Sequence, residues 1–423
     1  MQSSTVERPK NATLQVNGER LWQSLMEMAK IGATQKGGCC RITLTDEDKA
    51  GRDLFVQWCK DAGCSVEIDE VGNIYARRAG KDNSLPPVMT GSHLDTQPTG
   101  GKFDGVYGVL SGLEVIRTLN DQKIETLHPL EVVVWTNEEG TRFAPAMMGS
   151  GTMVGKFSLA ETLEKKDIHG KIFGEELKRI GYAGKRPAKP QAIHAFFETH
   201  IEQGPYLEAE KKEIGVVILG QGQRWYDVSI QGRESHAGPT PMHLRKDALV
   251  AAAKMITKVN EIALAHQPYA CGTVGFVQVF PNSRNTIPGQ VKFSIDFRHP
   301  VDEQLTSMDQ AIKATVAELN LEGVVEVELK DFWYYPPIAF DKKCRQAVQD
   351  AADAFGYSSM EIVSGAAHDA CYIAEIAPTG MIFIPCDDGI SHNEIENIEP
   401  GQALQGCNVL LHAMLQVANG NIS

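Results

Sequence analysis

The residues of this chain best equipped for chemistry are the adjacent carboxylates Glu138-Glu139, the histidines His93, His200 and His392, and Asp104, which stands in a glycine-rich turn. They fall in five clusters: Ser92-His93-Leu94-Asp95, Lys102-Phe103-Asp104-Gly105, Asn137-Glu138-Glu139-Gly140, Thr199-His200-Ile201-Glu202-Gln203-Gly204 and Gly389-Ile390-Ser391-His392-Asn393-Glu394. Imidazoles and carboxylates without a thiolate are a donor set for zinc, with manganese and cobalt as poorer substitutes. One catalytic zinc takes three protein ligands and a water, so five ligands with one carboxylate shared suit two ions, each keeping an open position. Asp104, at the start of a helix after Gly100-Gly101, is the natural shared carboxylate. Asp95 is expected to accept the second ring N–H of His93 and so fix its tautomer. Successive side chains point differently, which lets Glu139 ligate while Glu138 stays free to take a proton as general base.

Singly, each cluster has an ordinary explanation: His-x-Asp as a surface or core pair, Glu-Glu as a solvated charge run, Asp-Gly as a turn. Their placement argues otherwise. Each follows a short apolar run that reads as a strand, and in open α/β sheets ligands bind at that edge. The runs are at 87–89, 130–135, 195–197 and 381–384, alternating with helical patterns such as 105–119 and 402–417. That alternation predicts an α/β catalytic domain built on a mostly parallel sheet covered on both faces. Ahead of it, Leu21, Leu25, Met28 and Ile31 share one face of a helix, and Thr45 caps a second.

From 224 to 333 the pattern changes. Tyr226, Val228 and Ile230 alternate with polar residues, as do Val291, Phe293, Ile295 and Phe297. With strands also at 273–280 and 324–329 and helices at 245–266 and 304–319, the order is β-α-β-β-α-β, a ferredoxin-like sandwich with one face of its sheet free. The expected organisation is a discontinuous catalytic domain, 1–223 and 334–423, with the sandwich inserted at 224–333.

A chain of 423 residues accommodates two such domains. Forty-one Lys and Arg against 54 Asp and Glu give a formal charge of −13, which argues against nucleic acid as a partner while allowing one local Arg to hold a small anion. No apolar run approaches the roughly 20 residues of a membrane helix. The polar stretch Met1 to Lys10 lacks a signal-peptide core, so a cytoplasmic location is expected. The nine cysteines contain no C-x-x-C and fit reduced thiols; Cys39-Cys40 reads as a buried pair.

His93-Leu94-Asp95-Thr96, Phe103-Asp104-Gly105, Thr136-Asn137-Glu138-Glu139-Gly140, His200-Ile201-Glu202-Gln203-Gly204-Pro205 and Ser391-His392-Asn393-Glu394 resemble the hydantoinase/carbamoylase branch of the dinuclear-zinc peptidases and amidases. His200 marks the branch, because related aminoacylases and carboxypeptidases usually carry a carboxylate there. Within the branch, residues 91–101, 40–46 and 381–385 look most like fungal-type β-ureidopropionase. The resemblance implies two Zn2+ per subunit, one on His93, Asp104 and His200 and the other on Asp104, Glu139 and His392. It implies that the inserted domain is a lid and forms a homodimer, with His236 reaching the partner subunit's site to stabilise the oxyanion. It assigns the substrate's carboxylate to Asn285 and Arg298, and further substrate contacts to Gln203 and His368. Ala367 stands where the family would have Gly, and its added Cβ narrows the expected pocket. The reaction so implied is hydrolysis of N-carbamoyl-β-alanine to β-alanine, CO2 and NH3. The alternatives are N-carbamoyl-L-amino acid or allantoate hydrolysis, and a catalytically inactive binding protein, which would be expected to have lost Glu138 or a ligand.

Overall fold

The computed structural model describes residues 13–420, so the stretch Met1 to Lys10 lies outside the described residues. The chain divides into two compact units: one runs through Ile218 and resumes at Ala339, and the other is Leu219–Ile338. Strands β1 (Ser65–Ile68), β2 (Ile74–Arg78), β3 (Val88–His93), β4 (Leu130–Trp135), β5 (Ala195–Ile201) and β6 (Ile214–Gly220) come first. Next come β7 (Gly222–Gln231), β8 (Ser235–His236), β9 (Cys271–Thr273), β10 (Val277–Phe280), β11 (Thr286–Ile287), β12 (Gln290–His299) and β13 (Glu326–Tyr335). The series closes with β14 (Ile338–Ala339), β15 (Ser359–Ser364) and β16 (Thr379–Ile384).

The larger sheet has the order β1-β2-β4-β3-β5-β16-β6-β14, with β15 beside β6. Its centre, β4-β3-β5-β16, is parallel, and antiparallel β2 and β6 flank it. All four central strands are buried at every residue, which is why they read as unbroken apolar runs rather than alternating ones. Three helices open the chain. α1 (Gly18–Met28) is capped by Asn17, whose side chain accepts from Arg20 N–H. α2 (Asp46–Asp61) is capped by Thr45 and carries three acids in its first turn, a placement that suits the helix dipole. α3 (Val106–Asp121) is buried almost throughout and packs on β3, β4 and β5, beside α1 and the closing helix Pro400–Asn419. α1 is shorter than its apolar face predicts: Ile31 lies past its end, half buried.

In the second unit the order is β10-β12-β7-β13, with β9 also on β12, and every pairing is antiparallel. Helices Ala248–Ala265 and Asp302–Leu321 join Tyr226, Val228, Ile230, Val291, Phe293, Ile295 and Phe297 in one core. This is the β-α-β-β-α-β sandwich, and its first and last strands, β7 and β13, run past 224–333 at both ends, within a separate unit that is longer still. The run 273–280 is two strands, because Val274, Gly275 and Phe276 leave the ladder between them.

Candidate active site

Strand ends deliver the site. His93 is the last residue of β3, His200 is the penultimate residue of β5, and Glu138 and Glu139 follow β4 by three and four positions. Asp104 precedes α3, whose cap Gly105 has φ +68°. Asn137 (φ +58°), Gln203 (φ +58°) and His392 (φ +54°) hold left-handed backbone that is uncommon for non-glycine residues and concentrates at functional turns. The Asn137 amide donates to the carbonyls of Phe143 (2.8 Å) and Pro145 (3.3 Å), which braces the turn carrying Glu138.

Two groups of donors form around Asp104: His93, Asp104 and His200, and Asp104, Glu139 and His392, the ligand atoms of each group lying within 4.8 Å of one another. Asp104 divides its oxygens between them. Oδ1 is 3.0 Å from His200 Nε2 and 3.7 Å from His93 Nε2, whereas Oδ2 is 3.3 Å from His392 Nε2. His392 Nε2 is in turn 3.4 Å from Glu139 Oε2. Donors arranged tetrahedrally around one ion at ~2.1 Å sit roughly 3.4 Å apart, so these separations are those of a metal's ligands.

Tautomers support the same reading. His93 Nδ1 and His200 Nδ1 each lie 2.8 Å from a backbone carbonyl, that of Asp95 and that of Ile201. A carbonyl only accepts, so both Nδ1 atoms carry the proton. In a neutral ring the Nε2 lone pair then faces the Asp104 carboxylate, which is repulsive unless a cation lies between them. Asp95, Asp104, Glu138, Glu198, Asp369 and Glu396 are all buried acids in this region. Burial pushes the Glu138 carboxyl well above the usual range; His93 opposes that, and Asp369, Glu139 and Asp95 add to it. Burial and Asp104 likewise push Glu139 up to about 7. Asp104 is the exception: burial would raise its carboxyl, but without a metal His200, His392 and His93 are held toward their protonated forms and donate to it, which keeps it well below the usual carboxylate value. So many buried acids are compatible only with protons or metal cations among them. The residues present fit a pair of divalent metals.

The two groups differ in shelter. His93 and His200 are buried, whereas the His392 side chain is 52% exposed. Glu138 belongs to neither group; its Oε2 is 3.5 Å from His93 Nε2. Asp95 departs from expectation. Its backbone carbonyl, not its carboxylate, takes the His93 N–H, and Oδ1 is 3.9 Å away. Its two oxygens instead accept from the peptide N–H groups of Glu138 and Glu139, at 3.3 Å each, so Asp95 ties the end of β3 to the Glu138-Glu139 turn.

Gln203 donates to Asp104 Oδ2 (3.0 Å) and Ser391 Oγ (3.2 Å). His368 is buried edge-on to His200, ring centroids 4.5 Å apart, and burial followed by His200 drives its pKa well below the usual value. With Glu198 and His200 it makes a third donor group. His200 has only Nε2 to offer, so this group and the first exclude each other. Ala367 is half buried beside it. Cys39 is buried and Cys40 only partly so.

His236, Asn285 and Arg298 lie in the second unit. His236 and Asn285 share a two-stranded ribbon, β8 on β11, in which Ala237 N–H donates to the Asn285 carbonyl. Gly238 N–H donates to His236 Nδ1 (3.1 Å), so Nε2 carries the proton of the neutral ring and is exposed as a donor. Arg298 forks onto Asp296 on the same strand, at 2.8 Å from Nη2 to Oδ2.

Sequence reading missed Gln97, which donates to Glu139 Oε2 at 2.6 Å, and Glu396, whose oxygens meet the turn at Asp104. Gln97 stands inside the glycine-rich segment already singled out, and Glu396 four residues beyond His392, which were the available signals. Gly105→Ala would place a methyl carbon 2.4 Å from His93 Nε2 on left-handed backbone. It is expected to displace His93 and weaken metal binding about 10-fold or more, measured by metal content after dialysis; wild-type content would count against this geometry.

Residues 89–416 match the profile of peptidase family M20/M25/M40. The chain is 50% identical over 403 residues to an N-carbamoyl-L-amino-acid amidohydrolase of Rhizobium meliloti, covering 95% of this chain and 97% of that one. It is 37% identical over 409 residues to an N-carbamoyl-L-amino acid amidohydrolase of Geobacillus stearothermophilus, covering 96% and 100%. Among solved structures, an amidase of the hydantoinase/carbamoylase family from Burkholderia multivorans is 59% identical, with a TM-score of 0.91 over 97% of this chain and 100% of that one. The Rhizobium and Geobacillus relatives carry the N-carbamoyl-L-amino-acid name, not the β-ureidopropionase name to which the motifs at 40–46, 91–101 and 381–385 pointed.

Proposed function

The chain belongs to peptidase family M20/M25/M40 and, within it, to the hydantoinase/carbamoylase amidases, and on that premise we propose that it hydrolyses N-carbamoyl-L-amino acids to the amino acid, CO2 and NH3. The observation that carries the reading is the sharing of one buried carboxylate, Asp104, by two donor groups with Glu138 free beside them. The naming of the relatives favours an α-amino acid over β-alanine.

His93, Asp104 and His200 would hold one divalent metal, and Asp104, Glu139 and His392 the second; zinc suits the donors best. When bound, the metals would polarise the ureido carbonyl and lower the pKa of water. Glu138 takes a proton from water as its oxygen adds to the ureido carbon, and passes that proton to the departing nitrogen as the C–N bond breaks. Asp95 holds the peptides of Glu138 and Glu139, fixing the base relative to its neighbouring ligand.

His236 is assigned the developing oxygen anion, for which an exposed Nε2–H is the right donor. Arg298 and Asn285 are assigned the substrate's carboxylate. A substrate carboxylate would replace Asp296 as the partner of the Arg298 fork, an exchange between equivalent bidentate acceptors. His368 and Gln203 complete the substrate's surroundings. A homodimer built on the second unit, with His236 acting in the partner subunit's site, is part of the same proposal, as is a cytoplasmic location.

The test is kcat/KM over a panel of N-carbamoyl-L-amino acids, their D isomers, N-carbamoyl-β-alanine and allantoate. The L-α substrates are expected to lead by about 10-fold or more. A preference for N-carbamoyl-β-alanine or allantoate would replace this reading with that substrate.

A further inference from the structure

Glu396 is a buried carboxylate that belongs to none of the donor groups. Its Oε1 accepts from the peptide N–H groups of Phe103 (3.0 Å) and Asp104 (3.1 Å), and its Oε2 accepts from the Ser391 hydroxyl (2.8 Å). These partners are Asp104 itself, the residue before it, and the residue before His392. A Cβ at Gly101 would fall 2.1 Å from Glu396 Oε1, so the glycine turn ahead of Asp104 is shaped around this carboxyl. Burying a carboxylate is costly unless it is well hydrogen-bonded, and simple filling of space would be served better by an apolar side chain.

The hydroxyl of Ser391 has one proton and two acceptors in reach, Glu396 Oε2 at 2.8 Å and Asp104 Oδ2 at 3.2 Å. Asp104 Oδ2 already accepts from Gln203 Nε2 at 3.0 Å, so while Glu396 takes the Ser391 proton, Oδ2 keeps its remaining lone pair free for the side of His392 and Glu139. Without Glu396 the proton turns to Asp104 Oδ2 and competes with a metal for it.

We propose that Glu396 is a positioning residue that ties the Asp104 turn to the His392 loop and keeps Asp104 Oδ2 open, so that one carboxylate serves both metals. The inference rests on the two-metal reading and adds what makes the second, more exposed half of the site bind. Loss of Glu396 therefore acts on the metal held by Asp104, Glu139 and His392, and leaves the one held by His93, Asp104 and His200 largely intact.

The experiment titrates cobalt(II) into the metal-stripped full-length wild type, Glu396→Gln and Glu396→Ala, following visible absorption and competition with a chelator. Glu396→Gln keeps the side-chain volume, but its amide nitrogen donates where Oε2 accepted, so it tests the proton of Ser391 even if Glu396→Ala fails to fold. The expected result is a second equivalent bound roughly 10–100-fold more weakly in the variants, with a changed spectrum at two equivalents and the first equivalent little altered. Wild-type binding and spectra in both variants would overturn this inference alone. A wild type that takes up no metal would overturn it together with the two-metal reading.

Discussion

Glu138→Gln is expected to keep wild-type metal content and lose about 10²–10⁴-fold in kcat. The substitution preserves volume in a residue that is 8% exposed, so packing is not the variable. It removes a buried acid that joins neither donor group yet lies 3.5 Å from His93 Nε2, and with it the site assigned to accept and return a proton. KM should change little, because Asn285 and Arg298, the residues assigned to the substrate's carboxylate, are untouched. Turnover near the wild-type value would remove Glu138 from the role of base. A parallel loss of metal would instead make it a ligand, which its 3.5 Å approach to His93 Nε2 makes a real competitor.

Asp104→Ala should be the more destructive change. Every donor group attributed to the two metals includes Asp104, with Oδ1 toward His93 and His200 and Oδ2 toward His392. Its removal takes one ligand from each metal and leaves His200 and Gln203 without the oxygens they meet now. The loss in metal affinity should exceed the roughly 10–100-fold typical of removing an outer partner of a ligand, for both metals together, and turnover should fall below detection. Metal content and activity with excess zinc are the readouts. A variant that still bound one metal tightly would show that the two groups do not depend on a common carboxylate.

Much of the site was legible because its residues sit at strand ends, where sequence spacing and sheet topology coincide. His93, Glu139 and His200 follow or end apolar runs that become β3, β4 and β5, so the chain order of the clusters already gave the edge at which they meet. What spacing could not give was the choice between side chain and backbone. Asp95 was placed correctly beside His93, but whether its carbonyl or its carboxylate took the ring N–H depends on how β3 ends, and the carbonyl lies nearer. Glu396 was illegible for another reason: its hydrogen bonds to Phe103 and Asp104 span 293 and 292 residues. The hairpin of β1 and β2 escaped notice because β1 is short and half exposed, which leaves no apolar run to read. The expectation of N-carbamoyl-β-alanine over its alternatives was not fixed by the site motifs, because residues that hold metals do not read the carbon skeleton of the substrate.

The most direct test of the account is metal analysis of the purified protein after dialysis against metal-free buffer and zinc reconstitution. Two equivalents per chain, with activity rising as the second is added, is the predicted result. A single equivalent at full activity, or none with no response to added zinc, would contradict the sharing of Asp104 between two cations.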